Sequence, residues 1–497
     1  MPCHWTFTMK ASPLLVALAC GLFAIATAAR AADITPASPK PASEAPFVTK
    51  PYLQIGRNPA PGSLALLWHA PEASAEWSVE YQEPGGREWT KAAAPHSRRV
   101  AVSGIAPHTV YRVTLTGLTP GSVVDYRIRR GKEIVFSAKA RVPKSAAQKY
   151  RVVAFGDCGA GTAEQKPLAY QAFLAGADLI VIPGDMVYEY GRISEYREKF
   201  WPVYNADSAS PAGAPLLRSI PFAAAPGNHD TDTRNLDRFP DGLAYFLFWE
   251  QPLNGPLGKE GGPFVPSLVA SDANRRAFTE AAGDSYPRMT NFSFNYGNAH
   301  WTIVDSNPYV NWTDKSLLEW VASDLAAARG ATWRFVAFHH PGFNSAREHY
   351  EQQQMRLLAP ILEAGKVDVV FNGHVHNYQR SFPMKFVPDK QGTLLVGGRD
   401  NKTVRGRVVN GRWKLDKTFN GRTDTTPDGV IYLVTGAGGQ HLYNPEQQDE
   451  PDTWQRFTDK FVSTVHSFTI ADVDGKTLTI QQITGDGSEV DRFTITK

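Results

Sequence analysis

Cysteine is scarce in this chain. Its 497 residues include three, at positions 3, 20 and 158, too few for a disulfide framework. An excess of one charge is missing too. Lys and Arg total 52 against 49 Asp and Glu, a net charge of +3, which gives no reason to expect a basic nucleic-acid surface. Long hydrophobic runs are also wanting. The apolar stretch Leu14–Ala28 is shorter than the roughly 20 residues a membrane helix needs, and no later segment is longer, so no membrane span is expected. There is no P-loop and no internal repeat. Aromatic residues are not scarce: they reach 11%, with 12 Trp, too apolar a composition for a disordered chain. The length suggests two or three domains of roughly 100 to 200 residues each.

The short apolar run has a different meaning. Lys10 precedes it and Ala29-Arg30-Ala31 closes it. A basic region, an apolar region and an A-x-A-like site predict an export signal over residues 1–31, and hence a secreted or periplasmic protein. Met9-Lys10 would serve as an alternative start. A lipoprotein anchor at Cys20 fits less well, because Ala17-Leu18-Ala19 is a poor site for one. Cleavage near Ala31 would leave Cys158 as the remaining cysteine, so stability would rest on core burial. Residues 32–47 are rich in Pro, Ala and Ser and read as an extended linker.

From residue 48 to 145 the pattern has period two. Trp77, Val79 and Tyr81 alternate with Ser78 and Glu80, and Tyr111, Val113 and Leu115 alternate with Arg112 and Thr114. Turn signals at Pro61-Gly62, Pro84-Gly85-Gly86 and Pro120-Gly121 separate such runs. About seven short strands predict an all-β, immunoglobulin-like sandwich. The string Leu118–Arg127 resembles the fibronectin type III corner, in which a Tyr hydroxyl pins the loop. His69, His96 and His108 are scattered and read as structural or solvated.

From residue 146 to 497 the rhythm changes. Apolar runs end in polar clusters: Arg151–Phe155 in Gly156-Asp157-Cys158-Gly159, Leu179–Pro183 in Gly184-Asp185-Met186-Val187-Tyr188, and Phe222–Pro226 in Gly227-Asn228-His229-Asp230. Phe335–Phe338 ends in His339-His340, and Val367–Phe371 in Asn372-Gly373-His374-Val375-His376. Continuous apolar runs predict strands buried on both faces. Helical stretches lie between several of them, such as Lys315–Ala328 and Gln352–Ala364. Ligand sites of α/β sheets form beyond the carboxyl ends of the strands, where every cluster falls. Seven of the 13 histidines lie within residues 229–376. Asp, Tyr, Asn and His offer oxygen and nitrogen donors suited to a metal pair.

These five clusters, in this order, resemble the motifs of the calcineurin-like metallophosphoesterases. Tyr188, three residues after Asp185, is similar to the purple acid phosphatase branch, and a fibronectin-like domain ahead of the catalytic one resembles its large, plant-type form. The resemblance implies an α/β domain of two mixed β-sheets flanked by helices, completed by tail strands near Tyr432–Thr435, Ser467–Val473, Thr477–Ile483 and Arg492–Thr496.

It also implies the site. Asp157, Tyr188 and His376 would hold Fe(III), which favours hard anionic oxygens. Asn228, His339 and His374 would hold a divalent ion, Zn, Fe or Mn, and Asp185 would bridge the two. His340 would sit behind His339. Phosphate monoesters would be hydrolysed by hydroxide that the metal pair activates, with His229 as general acid and His349 as a second catalytic candidate. Plant-type relatives carry a His pair where this chain has Glu348-His349, so one member of that pair is Glu here. The glycine run Gly436–Gly439 with Gln440 and His441 resembles a loop near the family's active site.

Other features are softer. The Lys- and Arg-rich stretch Arg399–Arg422 reads as a solvated loop. Tyr309 and Trp312 read equally as pocket rim or core. Two other functions share parts of the pattern: a phosphodiesterase or nucleotide-cleaving enzyme on the same scaffold, and a non-catalytic module holding glycan or cell wall. The expected partners are small phosphate esters, and the sequence does not give the oligomeric state.

Overall fold

The computed structural model describes residues 45–389 and 408–497. The predicted signal over residues 1–31, Cys20, residues 32–44 of the linker and residues 399–407 of the basic stretch lie outside them. Among the described residues, no helix is long and apolar enough to cross a membrane.

The first eight strands make two facing sheets. Thr49–Gln54, Leu64–Pro71, His108–Leu115 and His96–Val100 lie side by side in one, and Thr90–Lys91, Trp77–Gln82, Val123–Arg130 and Glu133–Arg141 in the other. Leu53, Leu66, Trp68, Val79, Val113, Tyr126 and Ile128 fill the space between. The period-two pattern holds on strands with a wet face, but Leu64–Pro71 is buried along nearly its whole length. Its second face is covered as well: Tyr52, Ala65 and Leu67 pack in the same cluster as Tyr196, Trp201 and Phe248 from farther along the chain. The first sheet does not stop at the sandwich. Thr49–Gln54 pairs in parallel with Phe222–Ala225, Gln54 standing opposite Phe222, so one sheet of ten strands runs through both halves. Residues 45–497 form one compact unit.

The fibronectin-type corner is not made as expected. Tyr126 Oη donates to the Arg218 carbonyl at 2.9 Å, outside its own loop. The sandwich packs against the downstream segment there, and a buried hydroxyl takes the acceptor nearest to it. Arg57 and Arg112 both bind the buried Glu250, a second polar tie between the halves.

Downstream, two mixed sheets stack face to face. In the ten-stranded sheet, Tyr150–Ala154, Leu179–Pro183 and Phe222–Ala225 are parallel neighbours, extended by the antiparallel tail strands Ser467–Asp474, Thr477–Thr484 and Glu489–Thr496. The second sheet has seven strands, with Ala299–Ile303, Trp333–Ala337, Val369–Asn372 and Ile431–Thr435 parallel at its centre. Val152, Ala154, Val181 and Ala223 meet Phe335, Ala337, Phe371 and Leu433 between the sheets. The alternate residues of these strands face outward into helices. Val153, Ile180 and Ile182 pack with Leu168 of helix Gln165–Leu174. Val336 and Val370 pack with Leu317, Val321 and Leu325 of helix Lys315–Ala327. Both faces are therefore dry, which is why the strands read as unbroken apolar runs.

Two expected elements differ. Gln352–Ala364 is not one helix: a 3₁₀ turn, Gln354–Leu358, precedes a short α-helix, Ala359–Ala364. Pro360 cannot donate back to the preceding turn, so it starts the α-segment afresh. Part of the basic stretch is no loop either, since Gly411–Leu415 pairs with Met384–Pro388. Trp413 and Phe386 there flank the buried Arg356 guanidinium, their ring centres 5.6 and 5.7 Å away, and that packing fixes the strand. Trp312 is fully buried in the core, and Tyr309 Oη donates to Asp305 at 2.6 Å, so these two serve the core.

Candidate metal centre

The parallel strands of both sheets point their carboxyl ends the same way, so five loops meet at one edge. Asp157, Asp185 and His374 have φ of +58°, +55° and +67°. This left-handed conformation is uncommon for residues with a Cβ. It turns the chain sharply as each strand ends and aims the side chain back across the sheet edge, a strain typical of functional loops. The neighbouring glycines let the loops close up. A Cβ on Gly227 would lie 2.1 Å from Asp185 Oδ1, and one on Gly184 would lie 2.3 Å from His339 Nδ1.

The seven predicted ligand residues come together. Tyr188 Oη lies 3.0 Å from Asp157 Oδ1 and 3.2 Å from His376 Nε2, and His376 Nε2 lies 3.4 Å from Asp157 Oδ1. Beside this triangle, His339 Nε2 is 3.1 Å from both Asn228 Oδ1 and Asp185 Oδ2. Asp185, His339 and His374 present donor atoms within 4.8 Å of one another. Ligands bound at about 2.0–2.2 Å stand roughly 3 Å apart around an ion, so the spacing fits metal coordination. Asp157, Asp185, Tyr188 and the three histidines are buried.

The electrostatics favour a cation. Burial alone would push His339 down, yet Asp185 and Asp157 raise it to about 9. Tyr188 is pushed well up, first by burial and then by Asp157 and Asp185. A phenolate forms there only if strong positive charge joins the carboxylates. His374, surrounded by other rings, is held well below the usual range by burial and by the neighbouring His340 and His349, and so stays a neutral donor.

The two predicted catalytic histidines lie beside this cluster. His229 is half-buried, its ring 4.3 Å from that of Tyr188, and its Nδ1 donates to the Glu189 carbonyl at 2.9 Å. Its backbone N–H donates to Asp185 Oδ1 at 2.9 Å. The His349 ring lies 4.0 Å from that of His374. His340 is buried and bonded to Ser306, behind the site. The glycine loop wraps the floor, a Cβ on Gly436 falling 2.8 Å from Asp157 Oδ2, and the His441 carbonyl accepts from His376 Nδ1 at 2.7 Å.

Three further residues shape the site. Asp230 accepts from the backbone N–H groups of Asp185, Met186 and Gly227 at 2.8, 3.2 and 2.8 Å, tying two ligand loops together. Its place beside His229 was the available signal. Tyr443 stacks on His376 at 4.0 Å. Gln352 Oε1 lies 2.7 Å from His374 Nε2. For these last two the sequence held no signal, since both lie in stretches without a motif.

Residues 150–378 match the calcineurin-like phosphoesterase family. Purple acid phosphatase 13 of Arabidopsis thaliana is 24% identical over 380 residues, 69% of this chain and 56% of that protein. Purple acid phosphatase 1 of Ipomoea batatas is 35% identical over 220 residues, 43% of this chain and 38% of that one. The chain thus matches little more than half the length of the first relative and less of the second. Among solved structures, purple acid phosphatase PPD1 from yellow lupin (Lupinus luteus) seeds shares the fold, with a TM-score of 0.58 at 16% identity, over 90% of this chain and 75% of that one.

Proposed function

We propose that this member of the calcineurin-like metallophosphoesterases is an acid phosphatase of the purple type, hydrolysing phosphate monoesters with two metal ions. The observation that carries this reading is the meeting of seven oxygen and nitrogen donors at one buried sheet edge, with the Tyr188 phenol among them. Asp157, Tyr188 and His376 would hold Fe(III), Asn228, His339 and His374 a divalent Zn, Fe or Mn, and Asp185 both. Bound there, such a pair supplies positive charge for an anionic ester and acidifies water as the nucleophile.

The chain's own groups do the rest. The buried floor keeps bulk water from the donors. His229, tied through Nδ1 to the Glu189 carbonyl, turns Nε2 towards Asp185 at 3.9 Å. Asp185 and that carbonyl raise its affinity for a proton against the effect of burial, which suits a donor to a departing alkoxide. His349, its ring 4.0 Å from that of His374, is the second candidate for that proton transfer. Residues 48–145 form a fibronectin-like support, and residues 1–31 direct export.

Metal analysis with a substrate panel tests the reading. The expected result is two metals per chain, one of them iron, and a purple or pink colour that Tyr188→Phe removes without unfolding the protein. Activity should peak between about pH 4 and 7, as charge-acidified water allows, with p-nitrophenyl phosphate preferred over bis-p-nitrophenyl phosphate. Preference for the diester would move the protein to the phosphodiesterases. A colourless protein carrying only Mn or Zn and active only in alkali would remove it from the purple branch.

A further inference from the structure

The three histidine ligands of the proposed centre are each gripped by their second ring nitrogen, and the grips differ in kind. His339 Nδ1 donates to the Pro183 carbonyl at 2.9 Å, and His376 Nδ1 to the His441 carbonyl at 2.7 Å. His374 Nε2 instead meets the side-chain oxygen of Gln352 at 2.7 Å. A carbonyl or amide oxygen only accepts. The gripped nitrogen must therefore carry the proton, and the other presents its lone pair. His339 and His376 present Nε2, and His374 presents Nδ1. Backbone carbonyls come with the fold, whereas Gln352 is a side chain that another residue could replace.

The other end of that amide is also engaged. Gln352 Nε2 lies 3.1 Å from His349 Nδ1. An amide N–H only donates, so His349 Nδ1 accepts, and the ring proton of His349 sits on Nε2. Turning the amide over would set its N–H against His374 Nε2. The His374 proton would then move to Nδ1, and the ligand would be lost. Ligation at His374 thus selects the amide orientation, and the amide orientation selects the His349 tautomer.

We propose that Gln352 is a positioning residue that links the two: it frees His374 Nδ1 for the metal and leaves His349 with an Nε2–H to offer the substrate. This rests on the metal-centre reading above. Glutamate at this position could still accept from His374 but could not donate to His349.

The test compares the purified, metal-loaded wild type with Gln352→Ala and Gln352→Glu, after thermal melts confirm folding. Metals retained per chain are measured against rising EDTA. Gln352→Ala should release one of the two metals at about 10–100-fold lower EDTA, while Gln352→Glu should hold both within a few-fold of wild type. In Zn-loaded, ¹⁵N-histidine-labelled protein, with His349→Gln used for assignment, His349 Nδ1 should be unprotonated in wild type and protonated in Gln352→Glu. Wild-type metal retention in Gln352→Ala, an equal loss in both variants, or a protonated Nδ1 in wild type would overturn this inference alone. A wild type that retains no metals would overturn the underlying reading, and this inference with it.

Discussion

Two groups of buried histidines lie in this molecule, and burial treats them alike while their neighbours do not. At the sheet edge, His339 faces Asp185 and Asp157 and is raised to about 9. At the seam between the sandwich and the downstream half, His69 and His108 stack 5.3 Å apart. His69 bonds Tyr52 Oη at 3.0 Å, and Arg197 lies 3.4 Å from His108. There burial, joined by Arg197, lowers His108 to about 4, and His69 is also held well below the usual range. Desolvation opposes charge in both places; the sign of the adjacent charges decides which ring accepts it. The first group faces carboxylates that would suit a cation, and the second is a neutral joint.

The largest effect should come from removing the carboxylate both proposed metal positions share. Asp185→Ala should lose both ions and several orders of magnitude in turnover, read by metal analysis and p-nitrophenyl phosphate hydrolysis. Two metals and normal turnover in that variant would erase the contrast between the groups. His229→Ala should keep the metals and slow alkyl phosphates by roughly 10²–10⁴-fold, with p-nitrophenyl phosphate, whose leaving group needs little protonation, suffering less. Equal losses on the two ester types would make His229 a substrate-orienting group.

Gly227→Ala tests the packing of the ligand loops. Its Cβ would press on Asp185 Oδ1, and a displacement approaching 1 Å should cost about 10²-fold in turnover while the circular dichroism stays native. The smallest effect belongs to the seam. An unfolded histidine titrates near ~6.5, and folded His108 near about 4. Between those values the unfolded chain binds more protons, so stability falls as pH drops through that window. His108→Gln cannot titrate and should flatten the fall by about 2 kcal/mol between pH ~7 and ~4.5, as measured by denaturant unfolding.

Much of the site was legible because its proposed ligands sit directly after strands whose two buried faces leave unbroken apolar runs. Asp157, Asp185 and Asn228 each follow a glycine at such an end, and His339 follows Phe338. Gln352 and Tyr443 were not legible. Neither follows a strand, and each reaches the site by a loop whose path depends on long-range packing. The fibronectin-type corner failed for a related reason: local sequence supplied the tyrosine, but the acceptor came from Arg218, 92 residues away.

By itself, the sequence determined which atoms could bind a metal and the order of the strands that carry them, because periodicity and residue chemistry are local. Only the tertiary structure decided three things: that the sandwich shares a sheet with the downstream half, that His69 and His108 sit beside Arg197 while His339 faces two carboxylates, and which ring nitrogen of His339, His374 and His376 is gripped by a neighbouring oxygen. Each depends on what stands a few ångströms away in space, often more than a hundred residues away in the chain, where the desolvation, charge and hydrogen-bond partners of a side chain are set.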